Sequence, residues 1–385
     1  MCQQIELLYP RREVFEMEQD KPWFAATDIG WVVGSNLVGY GPLCHRVPSI
    51  IYEGKPTNPG NDYKPYFRLM EKYDVATFWT SPTAMRSIKN VFNNHGTEKI
   101  ENLLNKTKNG SLKDIWIAGE HCERDTLEFI RAAFQTERVH DHWWQTESGW
   151  PITCVNQVPD QPIGSSGLPV PGWNVQLLDS DTGERITKPN VLGNVVCKLP
   201  LPPGALTTLW QNEEFYNEYY FSKYPGFYDT MDSGTLDENG YLTIAARMDD
   251  VLKVAGARLA CGSLEECITN VKGIIEAVVV GKNHPLKGQV PFAFLVIRDG
   301  YDKQEMVNQA RDSIIKDVGP TAAIHEFMIV KRLPKTRSGK TPRATLQKFV
   351  NGEEFVIPVT IEDESVYDEL RSDWAKNNLR FLVKK

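Results

Sequence analysis

No apolar run in this 385-residue chain approaches the ~18 residues that a membrane-crossing helix needs, so no segment reads as a span. Cysteine is sparse and scattered. Seven occur, at 2, 44, 122, 154, 197, 261 and 267, an odd number without a C-x-x-C pair, and they read as free thiols of a reducing compartment. Positive charge is in deficit, 43 Lys and Arg against 50 Asp and Glu for a net charge of −7. Basic residues are not strongly clustered, which argues against nucleic acid as the default partner. Internal repeats and low-complexity tracts are absent. Residues 1–22 mix acid with base and match neither a secretory signal nor an acid-poor transit peptide.

What is present is ordinary globular material, 41% apolar and 24% charged, long enough for two or three domains. From 23 to 163, β-rich runs (Ser49–Tyr52, Ala76–Trp79, Ile115–Ala118) alternate with amphipathic stretches (Thr83–Asn93, Glu123–Phe134). That alternation predicts an α/β domain with a parallel sheet covered on both faces. From 164 to 248 short strands (Trp173–Leu178, Gly193–Leu199, Tyr241–Ile244) separated by turn signals predict a small β-barrel or meander. From 249 to 350 the pattern is α+β, with strands at Ala277–Val280, Phe292–Ile297 and Phe327–Val330 and helices at Lys303–Lys316 and Ser263–Asn270, the latter N-capped by Ser263. The tail, 351–385, is charged and helical at best.

Four clusters carry candidate chemistry. Lys335, Arg337 and Lys340 crowd a loop with Gly339 after the Phe327–Val330 strand. A lysine displayed there can neutralise charge building on a carboxylate that attacks a phosphate. The segment Ser338–Thr341 imitates the end of a Walker A loop, but that motif needs glycine where Pro334 stands. A solvated basic loop is the plainer alternative. The run His140 to Gly149 (HDHWWQTESG) offers a His-x-His pair without a third ligand, hence no metal site. Its Gln145-Thr146-Glu147-Ser148 stretch suits a hydroxyl-rich or phosphate-bearing ligand, with a Trp face walling a small apolar pocket. Asp232 is expected to open a hairpin whose far end delivers Arg247, juxtaposing carboxylate and guanidinium. Finally, Gly256 precedes Arg258 ahead of a helix, where a surface ion pair is the alternative role for the arginine.

Taken together, Trp143–Gly149, Tyr228–Gly234 (YDTMDSG), Arg247–Val251 (RMDDV), Gly256-Ala257-Arg258 and Lys335–Lys340 (KTRSGK) resemble the short-chain AMP-forming acyl-CoA synthetases. Earlier pieces agree: Thr27–Gly34, Tyr40–Leu43, Tyr52–Pro56, Ser81–Ala84 and Ala118-Gly119-Glu120. The resemblance runs from about Trp23 to Val359 and is strongest to mitochondrial, propionyl-preferring members. It implies part of the adenylating large domain (parallel sheet plus small β-barrel) followed by a small mobile C-terminal lid. It further implies that ATP and a carboxylate give an acyl-adenylate, which the CoA thiol then attacks, with Mg2+ accompanying ATP.

Carried over by motif, Gly119, Glu120 and Asp141 contact adenine, Asp232 and Arg247 the ribose, and Thr146 and Arg258 the α-phosphate. Lys340 stabilises the adenylation transition state, Asp249 is the hinge, and Gly256 borders the CoA tunnel. Trp31, Val32, Val33, Ala118 and Trp144 line the acyl pocket. Ala118 stands where the acetate-preferring branch usually has Val, which implies propionate over acetate. The family's phosphate-cradling Ser/Thr/Gly-rich loop is not found ahead of Trp23. Ser35 and Ala257 stand for usual histidines, and Met231-Asp232 for a commoner Gly-Asp. Residues 1–385 alone are therefore expected to release pyrophosphate poorly and to be poorly soluble. A non-catalytic adenylate- or CoA-binding remnant is the alternative. Resemblance also implies the mitochondrial matrix.

Overall fold

A computed structural model of the chain describes residues 14–120, 122–154, 162–247, 250–254, 257–336, 340–376 and 380–382. The chain divides into two compact units, Met1–Thr230 with Gly234–Ile244, and Met231–Ser233 with Ala245–Lys385.

In the first unit, strand residues alternate strictly between two faces, and this alternation builds the core. The strands are β1 (Trp23–Ala25), β2 (Ser49–Ile50), β3 (Thr77–Thr80), β4 (Asp114–Ile117), β5 (Val139–Trp143), β6 (Thr153–Cys154) and β7 (Leu168–Pro169). They form one sheet in the order β2-β1-β3-β4-β5-β6-β7. Pairing is parallel from β2 through β5 and antiparallel from β5 through β7. On one face Phe24, Phe78, Ile115, Ile117 and Val139 meet Phe67, Met85, Ile130 and Phe134. These come from helices Pro65–Tyr73, Pro82–His95 and Arg124–Phe134. On the other, Trp23, Ala25, Trp79, Trp116 and Ala118 pack with Leu37 and Val38 from the helical run 32–45. Such continuous burial on both sides is what a parallel sheet requires. Helix Pro82–His95 starts where expected: Ser81 accepts the Ala84 amide at 3.3 Å and Pro82 occupies the first turn.

Val14 and Phe15, each 2% exposed, belong to the tryptophan-lined face. The Phe15 ring lies 4.9 Å from Trp116, 5.5 Å from His142 and 5.6 Å from Trp23. The segment before Trp23, which the sequence sets apart as atypical, thus contributes to the core.

Strands β8 (Val175–Leu178), β9 (Gly193–Lys198), β10 (Phe227–Leu236) and β11 (Leu242–Arg247) follow one another in a four-stranded sheet, the meander form of the two expected arrangements. Asp232 does not open the β10–β11 hairpin, because it sits inside β10. The turn is made five residues on by Asp237, whose carboxylate accepts the Asn239 and Tyr241 amides at 2.9 and 2.8 Å.

The second unit is built on β12 (Val251–Val254), β13 (Ala257–Ala260), β14 (Ile274–His284), β15 (Gly288–Ile297), β16 (Glu326–Ile329) and β17 (Arg380–Leu382). The β14–β15 hairpin is its spine. Helices Cys261–Thr269 and Lys303–Asp317 cover one face, and Arg343–Asn351 and Ser365–Lys376 the other. Two expectations need correction. The first of these helices begins at Cys261 with Ala260 as its cap residue, not at Ser263, because its buried stripe (Cys261, Leu264, Cys267, Ile268) starts two residues earlier. The charged tail supplies a helix and also β17, which pairs with β16.

Because Phe15 seals the aromatic face, Phe15→Ala should destabilise the protein by about 3–5 kcal/mol in urea denaturation. A loss under about 1 kcal/mol would remove this segment from the core.

Candidate functional site

The carboxyl end of β4 gathers the first group of candidate residues. Ala118 is 1% exposed, and its amide donates to Thr80 O at 3.3 Å. Gly119 follows at φ +102°, a left-handed conformation that a side chain resists. Glu120 then turns its carboxylate onto the start of helix Pro82–His95, where Oε1 accepts the Thr83 amide at 2.8 Å and the Thr83 hydroxyl. Its Oε2 lies 3.2 Å from Arg86 Nη1. Burial is the largest influence on the Glu120 carboxyl and would raise it; the Arg86 charge and the hydrogen bonds from Thr83 and Arg86 together outweigh it and hold the carboxyl below its ordinary value. Glu123, likewise half-buried, is held at about 2 by the same guanidinium. Asp141 is lateral to Ile117 in the β4–β5 ladder, and there burial pushes its carboxyl well up.

The acyl-pocket candidates divide. Ala118, Val33 and Trp144 share one apolar cluster. Val32 opens the short helix Val32–Gly34, and Trp31, 44% exposed, is its cap residue. Most of the polar run after β5 is committed to the fold rather than open to a ligand. Gln145 donates to Thr230 O at 2.6 Å and accepts the Tyr228 hydroxyl at 2.8 Å. Glu147 accepts the Tyr220 hydroxyl at 2.9 Å, and the Ser148 hydroxyl donates to Trp150 O at 2.8 Å. Thr146 stands exposed between them. Each histidine of the His-x-His pair has a protein partner: His140 meets Asp114 at 2.8 Å, and His142 accepts from Trp79 Nε1 at 3.2 Å. Burial drops His142 to about 3.

The second unit holds Asp232, Arg247, Arg258 and Lys340. Asp232, 5% exposed, follows Met231, whose φ is +58°. A non-glycine residue at such an angle carries strain of ~1–3 kcal/mol. Arg247 ends β11. The neighbouring Ser233 hydroxyl donates to Ala246 O at 2.9 Å, so Asp232 and Arg247 lie on adjoining strands. Arg258 is on β13, opposite Lys253. Asp249 and Gly256 lie outside the described residues. Lys340 is exposed, and its turn is closed at both ends. The Lys340 amide donates to Thr336 Oγ1 at 3.1 Å, and the Thr336 amide to Lys340 O at 2.8 Å.

Two arginines were not singled out by motif. Arg86 bridges Glu120 and Glu123. Arg343 binds Asp250 at 2.7 Å, both oxygens of Glu265 at 2.7 and 2.8 Å, and Val279 O at 3.1 Å. Each pairs with carboxylates 34 or more residues away, a separation at which spacing carries no signal. Arg343 does stand three residues after Lys340, and that proximity was the one available hint. Among the described residues no group of three His, Cys, Asp or Glu side chains gathers to hold a metal ion.

The sequence profile of the AMP-binding enzyme family matches residues 1–201, and that of the AMP-binding enzyme C-terminal domain matches residues 263–340. The chain belongs to the AMP-binding enzyme family. The match reaches back to residue 1, ahead of the Trp23 from which the motif resemblance starts. "Acyl-CoA synthetase short-chain family member 3, mitochondrial" of Homo sapiens is 42% identical over 371 residues, 94% of this chain and 52% of that protein. "Propionate--CoA ligase" of Escherichia coli (strain K12) is 36% identical over 93% of this chain and 57% of its own length. The crystal structure of ATP-bound MatB from Rhodopseudomonas palustris shares the fold at a TM-score of 0.72 and 19% identity, covering 90% of this chain and 62% of that one. This AMP-binding enzyme chain thus spans about half the length of the first of these relatives.

The raised Asp141 carboxyl gives a prediction of definite sign. A carboxyl whose folded pKa exceeds the ~3.9 of the unfolded chain destabilises the fold increasingly as pH rises above that value. Asp141→Asn, neutral throughout, should melt at a higher temperature than wild type at pH 7 and depend less on pH between 4 and 7. An unchanged melting profile across that range would contradict the assignment.

Proposed function

We propose that the protein joins a short-chain carboxylate to CoA through an acyl-adenylate, with propionate preferred over acetate. In the first half-reaction a carboxylate oxygen attacks the α-phosphorus of ATP and pyrophosphate leaves; in the second, the CoA thiol attacks the acyl carbon and AMP leaves. The observation that carries the reading is the shared apolar cluster of Ala118, Val33 and Trp144, set next in sequence to Gly119 and Glu120 at the end of β4. A small residue amid large ones leaves width for one further carbon. The relatives named as a short-chain synthetase and as a propionate–CoA ligase support the same chemistry.

Within this reading, Gly119, Glu120 and Asp141 address adenine, Asp232 and Arg247 the ribose, and Thr146 and Arg258 the α-phosphate. The Lys340 ammonium meets the negative charge shared by carboxylate and phosphate as the new bond forms. Asp249 serves as the hinge and Gly256 borders the CoA path. Mg2+ would supply charge neutralisation on the phosphates. The relatives named as mitochondrial support a mitochondrial location, and we propose the matrix as the compartment.

Thioester formation from ATP, CoA and either acid tests the reading, with propionate expected to give the higher kcat/KM. Ala118→Val should lower kcat/KM for propionate roughly 10–200-fold, the range of one methylene, while sparing acetate. An unchanged ratio between the acids would take Ala118 out of the pocket. Lys340→Ala should abolish pyrophosphate release yet leave preformed propionyl-AMP plus CoA competent to give thioester; equal loss in both steps would refute its role. Binding of propionyl-AMP without any turnover would favour the non-catalytic adenylate-binding alternative.

A further inference from the structure

Both oxygens of Glu120 are already engaged, one by Thr83 and the other by Arg86, so its carboxylate is committed within the fold. The same arginine reaches on to Glu123, Nε lying 2.7 and 3.0 Å from its two oxygens. Glu123 Oε1 also accepts the Thr126 hydroxyl at 2.6 Å, and Arg86 Nη1 lies 3.4 Å from Thr83 Oγ1. One guanidinium on helix Pro82–His95 therefore holds both Glu120 and Glu123, which stand after β4 and before helix Arg124–Phe134. Directly ahead of Glu120 lies Gly119, at a backbone angle that a side chain would resist.

From this geometry we propose that Arg86 is a positioning residue for the nucleotide. It holds the Gly119–Glu120 main chain in place, and the adenine base is read by main-chain N–H and C=O groups instead of by the Glu120 carboxylate. The inference rests on the proposed adenylate-binding role of this loop. A half-buried pair of carboxylates around one guanidinium, 30% and 25% exposed, contributes little to stability because solvent screens it. Fixing a loop in one register is the use such a group fits. Main-chain donors and acceptors also match the N1 and N6 edge of adenine, and they mismatch the O6 and N1–H edge of guanine.

Calorimetric titration of the chain with propionyl-adenylate, supplied as its non-hydrolysable sulfamate, and with the guanine analogue tests this. Arg86→Gln should raise Kd for the adenine ligand about tenfold or more and shrink the adenine-over-guanine preference, as loss of positioning does. Arg86→Lys should recover part of both. Glu123→Gln, which leaves Glu120 untouched, should weaken binding in the same sense and covers the case in which Arg86→Gln does not fold. Asp114→Asn is the control, because it removes the buried carboxylate that holds Arg138 and His140 at the opposite end of β4. It should lower the melting temperature while leaving Kd within about twofold. Unchanged Kd and base preference in folded Arg86→Gln or Glu123→Gln would overturn the proposal, as would an equal loss in Asp114→Asn. A wild-type chain that binds neither ligand would overturn the adenylate reading itself, and this inference with it.

Discussion

The period-two alternation of large side chains along β1, β3 and β4 is the constraint on which the first unit depends. Trp23, Trp79 and Trp116 go one way and Phe24, Phe78 and Ile115 the other, so a shift of one residue in any strand would exchange two incompatible cores. Register fixed in this way has a further effect. It determines which residue comes last before each strand ends, and therefore what the carboxyl edge of the sheet displays. Ala118, with the same facing as Trp116, is the point at which the aromatic layer gives way to a small side chain.

Charge supports this edge in a different manner from apolar packing. Arg86 binds two carboxylates from one loop, and in the second unit Arg343 binds two from separate elements, Asp250 ahead of β12 and Glu265 on helix Cys261–Thr269. In both places a single half-buried cation organises segments distant in sequence. Each arrangement holds only when complete, since removing one partner strands a charge away from water. The two arginines are thus points at which local geometry is sharply specified with little gain in stability.

How much of this was legible beforehand follows from the range of each interaction. Strands Thr77–Thr80 and Asp114–Ile117 and helix Pro82–His95 were readable to within a few residues, because hydrophobic period and capping are local. Helix Cys261–Thr269 was misplaced because Ser263 looks like a cap, whereas the buried stripe that sets the start is decided by tertiary packing. Gln145, Glu147 and Ser148 read as ligand-facing because polarity in a turn is the only visible signal; their partners Thr230, Tyr220 and Trp150 lie mostly tens of residues away. The same distance hid Arg86 and Arg343. Phe15 was overlooked because two apolar residues in a polar segment have no period. The motifs that singled out Ala118, Gly119 and Lys340 rest on residue type and order, which the sequence displays directly.

The turn at Lys340 has an energetic corollary. With the main chain tied at Thr336 and Lys340, the conformational freedom lost when this lysine meets an anion falls on its four-carbon stem, about 1.5–2 kcal/mol at most. An untethered loop would add ~1–2 kcal/mol for every backbone residue it had to order. A charge mounted this way combines long reach with a low entropic threshold for meeting an anion.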